Sequence, residues 1–254
     1  MKGQTMIRLE NEEFEKSIIA EHYHIAVPFQ ITVFADGRKD FLVYSFCRKL
    51  AAEFEEKFPD PLSAEALDWL AGKLAPMMEE LDYDSGSMMM HAHREYRLTP
   101  DMSDRLTVPA REAELLTVLT DADRETDVEL ELDAFEMDGS NPEDAMTVIR
   151  ENGKIVCFAA VNDIIENDTT GGYDWIELNV ECGEDYRCRG YGAACVTALT
   201  RYYLEMGKGV KYLCDEDNIA SMRTAERVGY APYSRVVPLV YYTPETEDDE
   251  EDID

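Results

Sequence analysis

The stretch that most constrains this chain runs from Asp174 to Met206, DWIELNVEC-GEDYRCRGYG-AACVTALTRYYLEM. Asp174–Cys182 has the alternation of a strand. Ala193–Met206 carries apolar residues near 195, 196, 199, 203 and 206, one face of a helix that Gly207 ends. Between them lies a short turn holding Arg187, Cys188, Arg189, Gly190 and Gly192. A strand that hands over to a helix through so few residues commits the chain to packing helix on sheet, an α/β arrangement. The turn also has chemistry of its own. The first turn of a helix presents unpaired N–H groups and a partial positive charge, which together attract an anion. Gly190 and Gly192 leave the backbone open to close approach, and Arg187 and Arg189 add charged donors at its edges. Glycine serves packing in such turns as well, so the residues alone support both readings.

The flanking elements extend the pattern. Thr147–Arg150 and Ile155–Val161 frame Glu151-Asn152-Gly153-Lys154, and Asn-Gly between apolar runs is the strongest short hairpin signal. TTGG at 169–172 is a turn ahead of the third strand. Downstream, Lys211–Cys214 reads as a strand, Ile219–Val228 as a helix ending at Gly229, and Ser234–Tyr241 as a last strand. The N-terminal third is a mixed α/β region. Ile25–Phe34 suits a strand followed by the turn ADGRK, Leu42–Lys57 a helix stopping near Pro59, and Ala64–Leu81 a helix capped by Ser63. DYDSGS at 82–87 reads as a linker. The predicted organisation is an N-terminal region over 1–93 whose role the residues do not state, a main domain over 94–243, and an acidic tail over 244–254.

Charge narrows the partners. The chain has 254 residues, 55 of them acidic and 24 basic, for a formal charge of -31. Eight of the last ten residues are acidic, and so dense a block is expected to stay disordered. Such a surface repels nucleic acid, whose phosphates need Lys and Arg, and favours cationic molecules such as amines. No run of about 18 apolar residues suggests a membrane span, and the N-terminus turns acidic too early for a secretory leader, so a cytoplasmic protein is expected. Six cysteines at 47, 157, 182, 188, 195 and 214 form no C-x-x-C pair, which argues against structural zinc and fits free thiols in a reducing compartment. His22/His24 and His91/His93 form two His-x-His pairs. Nothing sets the distance between the pairs, and no metal is assigned to them.

Two motifs identify a resemblance. RCRGYG (187–192) has the pattern Arg/Gln-x-x-Gly-x-Gly/Ala and resembles the acetyl-CoA-binding motif of the GNAT N-acetyltransferases. Asn218-x-x-Ser221, followed by Val228-Gly229-Tyr230, is similar to the downstream Asn-x-x-Ala/Ser…Gly-Phe/Tyr helix motif of that family. The resemblance covers about residues 94–243 and is sharp over 174–230. It implies the GNAT acyl-CoA N-acyltransferase fold, a mixed and mostly antiparallel sheet with helices on both faces. Arg94–Thr99 would supply the family's first strand, and 100–144 the segment beside the acceptor.

Carried over by position, the resemblance gives each motif residue a role. Backbone amides of Cys188, Gly190, Gly192 and Ala193 would cradle the pyrophosphate of acetyl-CoA, with Arg187 and Arg189 beside it. Val180–Cys182, both ends included, would pair with the pantetheine arm. The Asn218 amide would bond that arm with Ser221 nearby, although Asn218 also suits a helix N-cap. The implied activity is transfer of an acetyl group to a primary amine in a ternary complex. A CoA-binding module without catalysis is the alternative. An alkylamine with a pKa of about 10 must lose a proton before it attacks. Glu177 and Glu181, on the third strand, are the candidate bases. Many members place a tyrosine seven residues after the motif asparagine as acid for the departing thiol, and here that position is Ala225. All four histidines precede residue 94, so no Cys–His pair forms within the motif region and a covalent cysteine route is disfavoured. The partners implied are acetyl-CoA and an amine acceptor of cationic character. A homodimer is compatible; nucleic acid and membrane are not expected.

Overall fold

The computed structural model describes residues 5–10, 25–81, 87–165 and 172–242. His22, His24, the 82–86 linker, residues 169–171 and the acidic tail lie outside them. The chain divides into two compact units, one of residues 1–93 with 234–254 and the other of residues 94–233. Among the described residues no helix is long and apolar enough to cross a membrane.

The first unit contains β1 (Thr5–Leu9), β2 (Ile25–Phe34), β3 (Lys39–Val43), helices α1 (Arg48–Lys57) and α2 (Ala64–Glu79), and β4 (Ser87–Met90). β2 and β3 pair antiparallel, β1 runs parallel to β3, and the C-terminal part of β11 (Ala231–Tyr242) pairs with β2 and β4. Leu42 and Val43 fall in β3 and the helix begins at Arg48, which shortens the helix expected over Leu42–Lys57. Val43 shares the buried face of the strand with Phe41, and Leu42 points to the other face. Phe41 lies against Phe29 and Phe54, with ring centroids 5.7 and 5.6 Å away. Leu70 and Leu74 of α2 close this core, and each large apolar side chain buried this fully is worth roughly 1.5–3 kcal/mol. Ser63 caps α2 as expected, its hydroxyl accepting the Ala66 N–H at 3.3 Å.

The second unit holds β5 (His93–Leu98), β6 (Glu114–Leu116), the one-turn helix α3 (Asp121–Arg124), β7 (Met146–Glu151), β8 (Lys154–Ile165), β9 (Trp175–Cys182), α4 (Tyr191–Glu205), β10 (Gly209–Asp215) and α5 (Ile219–Val228). Its strands lie in the order β6-β7-β8-β9-β10-β5. The pairings from β6 to β9 are antiparallel, and β9 with β10 is parallel. The β7–β8 hairpin turns at Asn152 and Gly153, both with positive φ (53° and 84°), as an Asn-Gly turn requires. β5 lies beside β10, so it does not take the first-strand position expected of Arg94–Thr99. The outer neighbour of β7 is β6, which the sequence pattern misses because it is only three residues long.

One face of this sheet packs against α4, whose Ala194, Cys195, Val196, Leu199 and Tyr203 are buried. A second cluster, including Leu119, Leu132, Met137, Val148, Phe158 and Ala160, joins the 116–137 segment to β7 and β8. That segment is largely loop, with α3 and one 3-10 turn at Leu132–Ala134. Asp123 holds it in place. Its carboxylate accepts the Thr120 N–H and hydroxyl and pairs with Arg150 of β7 at 2.6 Å.

The cysteines correct the free-thiol expectation. Cys157 and Cys182 are directly opposed in the β8–β9 ladder and joined as a disulfide. Their 25-residue separation gives no local sign of this; only the strand register brings them together. Cys47, Cys188, Cys195 and Cys214 are not disulfide-bonded. Protein unfolded without reductant is therefore expected to titrate four thiols with a thiol reagent, rising to six after reduction. Six before reduction would remove the bond.

Candidate active site

The site forms where β9 and β10 part. They pair over four rungs, from Trp175–Gly209 to Leu178–Tyr212. Beyond that point β9 runs on to Cys182 bonded only to β8, through Ala159–Val180, Phe158–Glu181 and Cys157–Cys182. Among the described residues the edge of Asn179–Glu181 that faces β10 thus carries no strand, which leaves room there for an extended ligand. Val180 and Cys182 lie here as expected. The Cys182 sulfur lies in the disulfide, and its carbonyl already accepts from the Arg187 guanidinium.

From Cys182 the chain passes a 3-10 turn, Glu184–Tyr186, and enters α4. Cys188 and Gly190 both adopt positive φ, 61° and 83°. This winds the backbone so that successive amides converge on one concavity. Gly190 is the N-cap of α4 and supplies no capping side chain, whereas Asn218 caps α5 with its own oxygen. The first-turn amides of α4, those of Tyr191, Gly192 and Ala193, have no intrahelical acceptor. Side chains at Gly192 would approach Val180 and Cys182 at 3.5 and 3.6 Å, which places the helix start directly over the open end of β9.

Three guanidiniums surround this turn. Arg187 donates to the Cys182 carbonyl, and Arg189 donates to the Asp185 carbonyl at 2.9 Å while stacking over Tyr186. Arg111 was not legible as a site residue. It donates to the Arg189 carbonyl at 3.0 Å, and its guanidinium lies 3.5–3.6 Å from the place a Gly190 side chain would occupy. Its own φ is 49°, an uncommon value for a residue with a side chain. No motif surrounds it, so only the fold brings it to the turn. None of the three forms an ion pair among the described residues, in a chain with more than twice as many acids as bases. Converging cations at a positive helix end repel one another, and an anion in the concavity removes that cost.

On the other side of the last paired rung lies a line of charged groups. Glu177 accepts from the Asn162 amide at 2.9 Å and lies 3.8 Å from Lys211. Lys211 in turn lies 3.9 Å from Glu95, and Glu95 pairs with Arg97 at 2.6 Å. The side chains of Glu95, Arg97, Lys211 and Glu177 are all less than one-sixth exposed, so the charges are held in a shielded row. Glu181 points to the same face, four residues on along the strand. Its carboxylate accepts the Glu131 N–H at 2.9 Å and anchors the 116–137 segment. The two candidate bases therefore differ: Glu177 sits at the parting of the strands, and Glu181 is tied to a loop.

Asn218 acts as the α5 cap, its oxygen accepting the Ser221 N–H at 3.0 Å, and this leaves its NH2 donors available. Ser221 shares a hydrogen bond of 2.8 Å with Tyr212. Ala225 is buried, one helical turn further on the same face. Nearby phenols do not replace the missing hydroxyl. Tyr191 donates to Glu151, which raises its pKa, and fully buried Tyr230 shares its proton with Thr200. Cys195 is buried with its thiol pushed up to about 12, so it is no nucleophile at neutral pH.

Residues 112–230 match the model of the Acetyltransferase (GNAT) family. No curated protein sequence matches the chain. Among solved structures, an acetyltransferase from the GNAT family of Novosphingobium aromaticivorans shares 11% identity, with 64% of this chain and 69% of that chain covered and a TM-score of 0.44. GCN5-related N-acetyltransferases from Kribbella flavida and Sphaerobacter thermophilus share 18% and 15% identity. They cover 75% and 79% of this chain and 77% and 70% of their own, each at a TM-score of 0.41.

Proposed function

We propose that this chain, which carries a GNAT-family acetyltransferase domain over residues 112–230, moves an acetyl group from acetyl-CoA to a primary amine by direct attack in a ternary complex. The observation that carries the reading is the uncapped start of α4, ringed by Arg111, Arg187 and Arg189, directly over the open edge of β9. The amides of Cys188, Gly190, Gly192 and Ala193 would take the pyrophosphate. The pantetheine arm would extend along Val180–Cys182, with Asn218 as a side-chain donor.

The acyl carbon then lies where β9 and β10 part, beside Glu177. The amine nitrogen forms its bond to the carbonyl carbon and the C–S bond breaks. Glu177 takes the amine proton directly or through water, and Asn162 and Lys211 hold its carboxylate in place. A thiol has a pKa of about 8.5, so the thiolate leaves without a tyrosine at position 225 and is protonated by water. Free-thiol release from acetyl-CoA across a panel of amines tests the reaction. The buried Ala225 favours a second reading, a CoA-binding module without catalysis, which predicts acetyl-CoA binding with no amine-dependent thiol release.

Arg111 offers a separate test of the cofactor site. Arg111→Met is expected to weaken acetyl-CoA binding about tenfold, since a charge-assisted contact to phosphate is worth roughly 1.5 kcal/mol. Arg201→Met, on an exposed position of α4, should leave binding within about twofold. Equal affinities for both variants and the parent, measured by calorimetry, would remove Arg111 from the site.

A further inference from the structure

We infer that the hydroxyls of Ser221 and Tyr212 seat the departing thiolate: Ser221 donates a hydrogen bond to the CoA sulfur, and Tyr212 positions Ser221. The inference rests on the acetyl-transfer reading above and gives residues to its second half, the breaking of the C–S bond.

The two faces of the sheet differ where β9 and β10 part. At the next-to-last rung Lys211 opposes Glu177, on the face where the proposed base stands. Alternation turns the last rung, Leu178 and Tyr212, to the other face, into the core that α4 and α5 share. The cofactor enters on this second face, because the start of α4 lies over Val180 and Cys182. The amine thus meets its base on one side of the parting, and the sulfur reaches it from the Tyr212 side.

Leu178 and Ala225 make that side apolar, and one pair of hydroxyls interrupts it. The Tyr212 phenol, 1% exposed, meets the Ser221 hydroxyl at 2.8 Å. Ser221 is only half-buried, so its oxygen can face a ligand while the phenol lies behind it. Burial pushes the Tyr212 pKa up to about 12, which keeps the phenol protonated and a donor at neutral pH. With Tyr212 donating to its oxygen, Ser221 is left to direct its own proton at the sulfur. Tyr230 packs its ring 5.8 Å from that of Tyr212, and its hydroxyl is taken up by Thr200 at 2.6 Å, so it does not compete for Ser221.

As the C–N bond forms, the C–S electron pair passes to sulfur and negative charge builds there. A hydrogen bond to an acceptor strengthens as that acceptor gains charge, so this contact favours the transition state over the bound thioester. Both hydroxyls keep their protons. The proton that finally neutralises the thiolate comes from water, as above.

Free CoA bound to the full chain reports this contact without any acceptor. Its thiol is titrated by ultraviolet thiolate absorbance, with the desulfo-CoA complex as the blank for the protein's own groups. Burial holds the Tyr212 phenol and the Cys214 thiol above their ordinary values, and the charged groups on the other face, Glu177 and Lys211, are of opposite sign. The bound thiol is expected to titrate about one pH unit below its ordinary value of about 8.5. Ser221→Ala should abolish the shift, Tyr212→Phe should remove about half of it or more, and Ser221→Thr should keep it. Affinity for desulfo-CoA should stay within about twofold in all three, which shows that they fold. A bound thiol that titrates at its solution value in the parent, or a shift that survives Ser221→Ala, overturns the inference and leaves the cofactor site standing. Should Ser221→Ala fail to bind desulfo-CoA, a shift untouched by Tyr212→Phe overturns the inferred pair instead. Absence of binding by both CoA and desulfo-CoA removes the cofactor site and the inference together. A shift that depends on Ser221, without amine-dependent thiol release, would sink the transferase reading and leave the thiolate seat in place.

Discussion

Glu177→Gln is expected to lower kcat for amine acetylation about 100-fold and to leave acetyl-CoA affinity within about twofold, the scale of losing one general base. Glutamine keeps the length of the side chain and an oxygen for the Asn162 amide, and Lys211 keeps its neighbour Glu95. The change therefore removes the proton acceptor and little else. Glu181→Gln is the matched comparison. Its oxygen can still accept the Glu131 N–H, so activity should stay within about threefold of the parent. A large loss at Glu181 with none at Glu177 would exchange the two assignments. Stopped-flow or thiol-coupled assays at saturating acetyl-CoA separate kcat from KM for the amine.

Gly229→Ala is expected to unfold the second unit under conditions in which the parent is stable. Gly229 ends α5 with φ at 119°, and its N–H reaches the Ala225 and Glu226 carbonyls. A methyl group here would lie 2.1 Å from the Arg105 carbonyl oxygen and 2.8 Å from its carbon. Both are backbone atoms, so no side-chain rotation relieves the overlap. Backbone strain adds to it, because an L-residue rarely adopts this φ. Together these cost about 4 kcal/mol or more, comparable with the whole stability of many domains. Urea unfolding followed by far-UV circular dichroism checks this. A midpoint unchanged from the parent would mean that the approach of Arg105 to α5 is wrong.

The same glycine illustrates what a single sequence exposes. Gly229 is legible as a helix stop, and α5 runs over Ile219–Val228, the span the sequence predicts. Its contact with Arg105 is not legible, because it joins positions far apart in the chain. The Asn152-Gly153 hairpin and the helix after the arginine turn were readable for the same local reasons. What escaped was long-range. The Cys157–Cys182 bond depends on register, and β5 lies beside β10 although its own residues say only that it is a strand. Arg111 reaches Gly190 from a segment without periodicity, and Lys211 meets Glu177 only because two strands run parallel. In the N-terminal unit, Leu42 and Val43 fit a helical stripe and a strand equally well; packing of Phe41 on Phe29 and Phe54 decides for the strand.

Acetyl-CoA titrated into the full chain tests the central claim most directly. The claim predicts a melting temperature that climbs with the logarithm of acetyl-CoA concentration, since a ligand held by the folded state stabilises it by mass action. Free CoA should produce the same climb, because the proposed contacts are to the shared pyrophosphate and pantetheine. Arg111→Met should shift the whole curve to higher concentration. A melting temperature unmoved by millimolar acetyl-CoA would contradict the assignment of the arginine turn as a cofactor site.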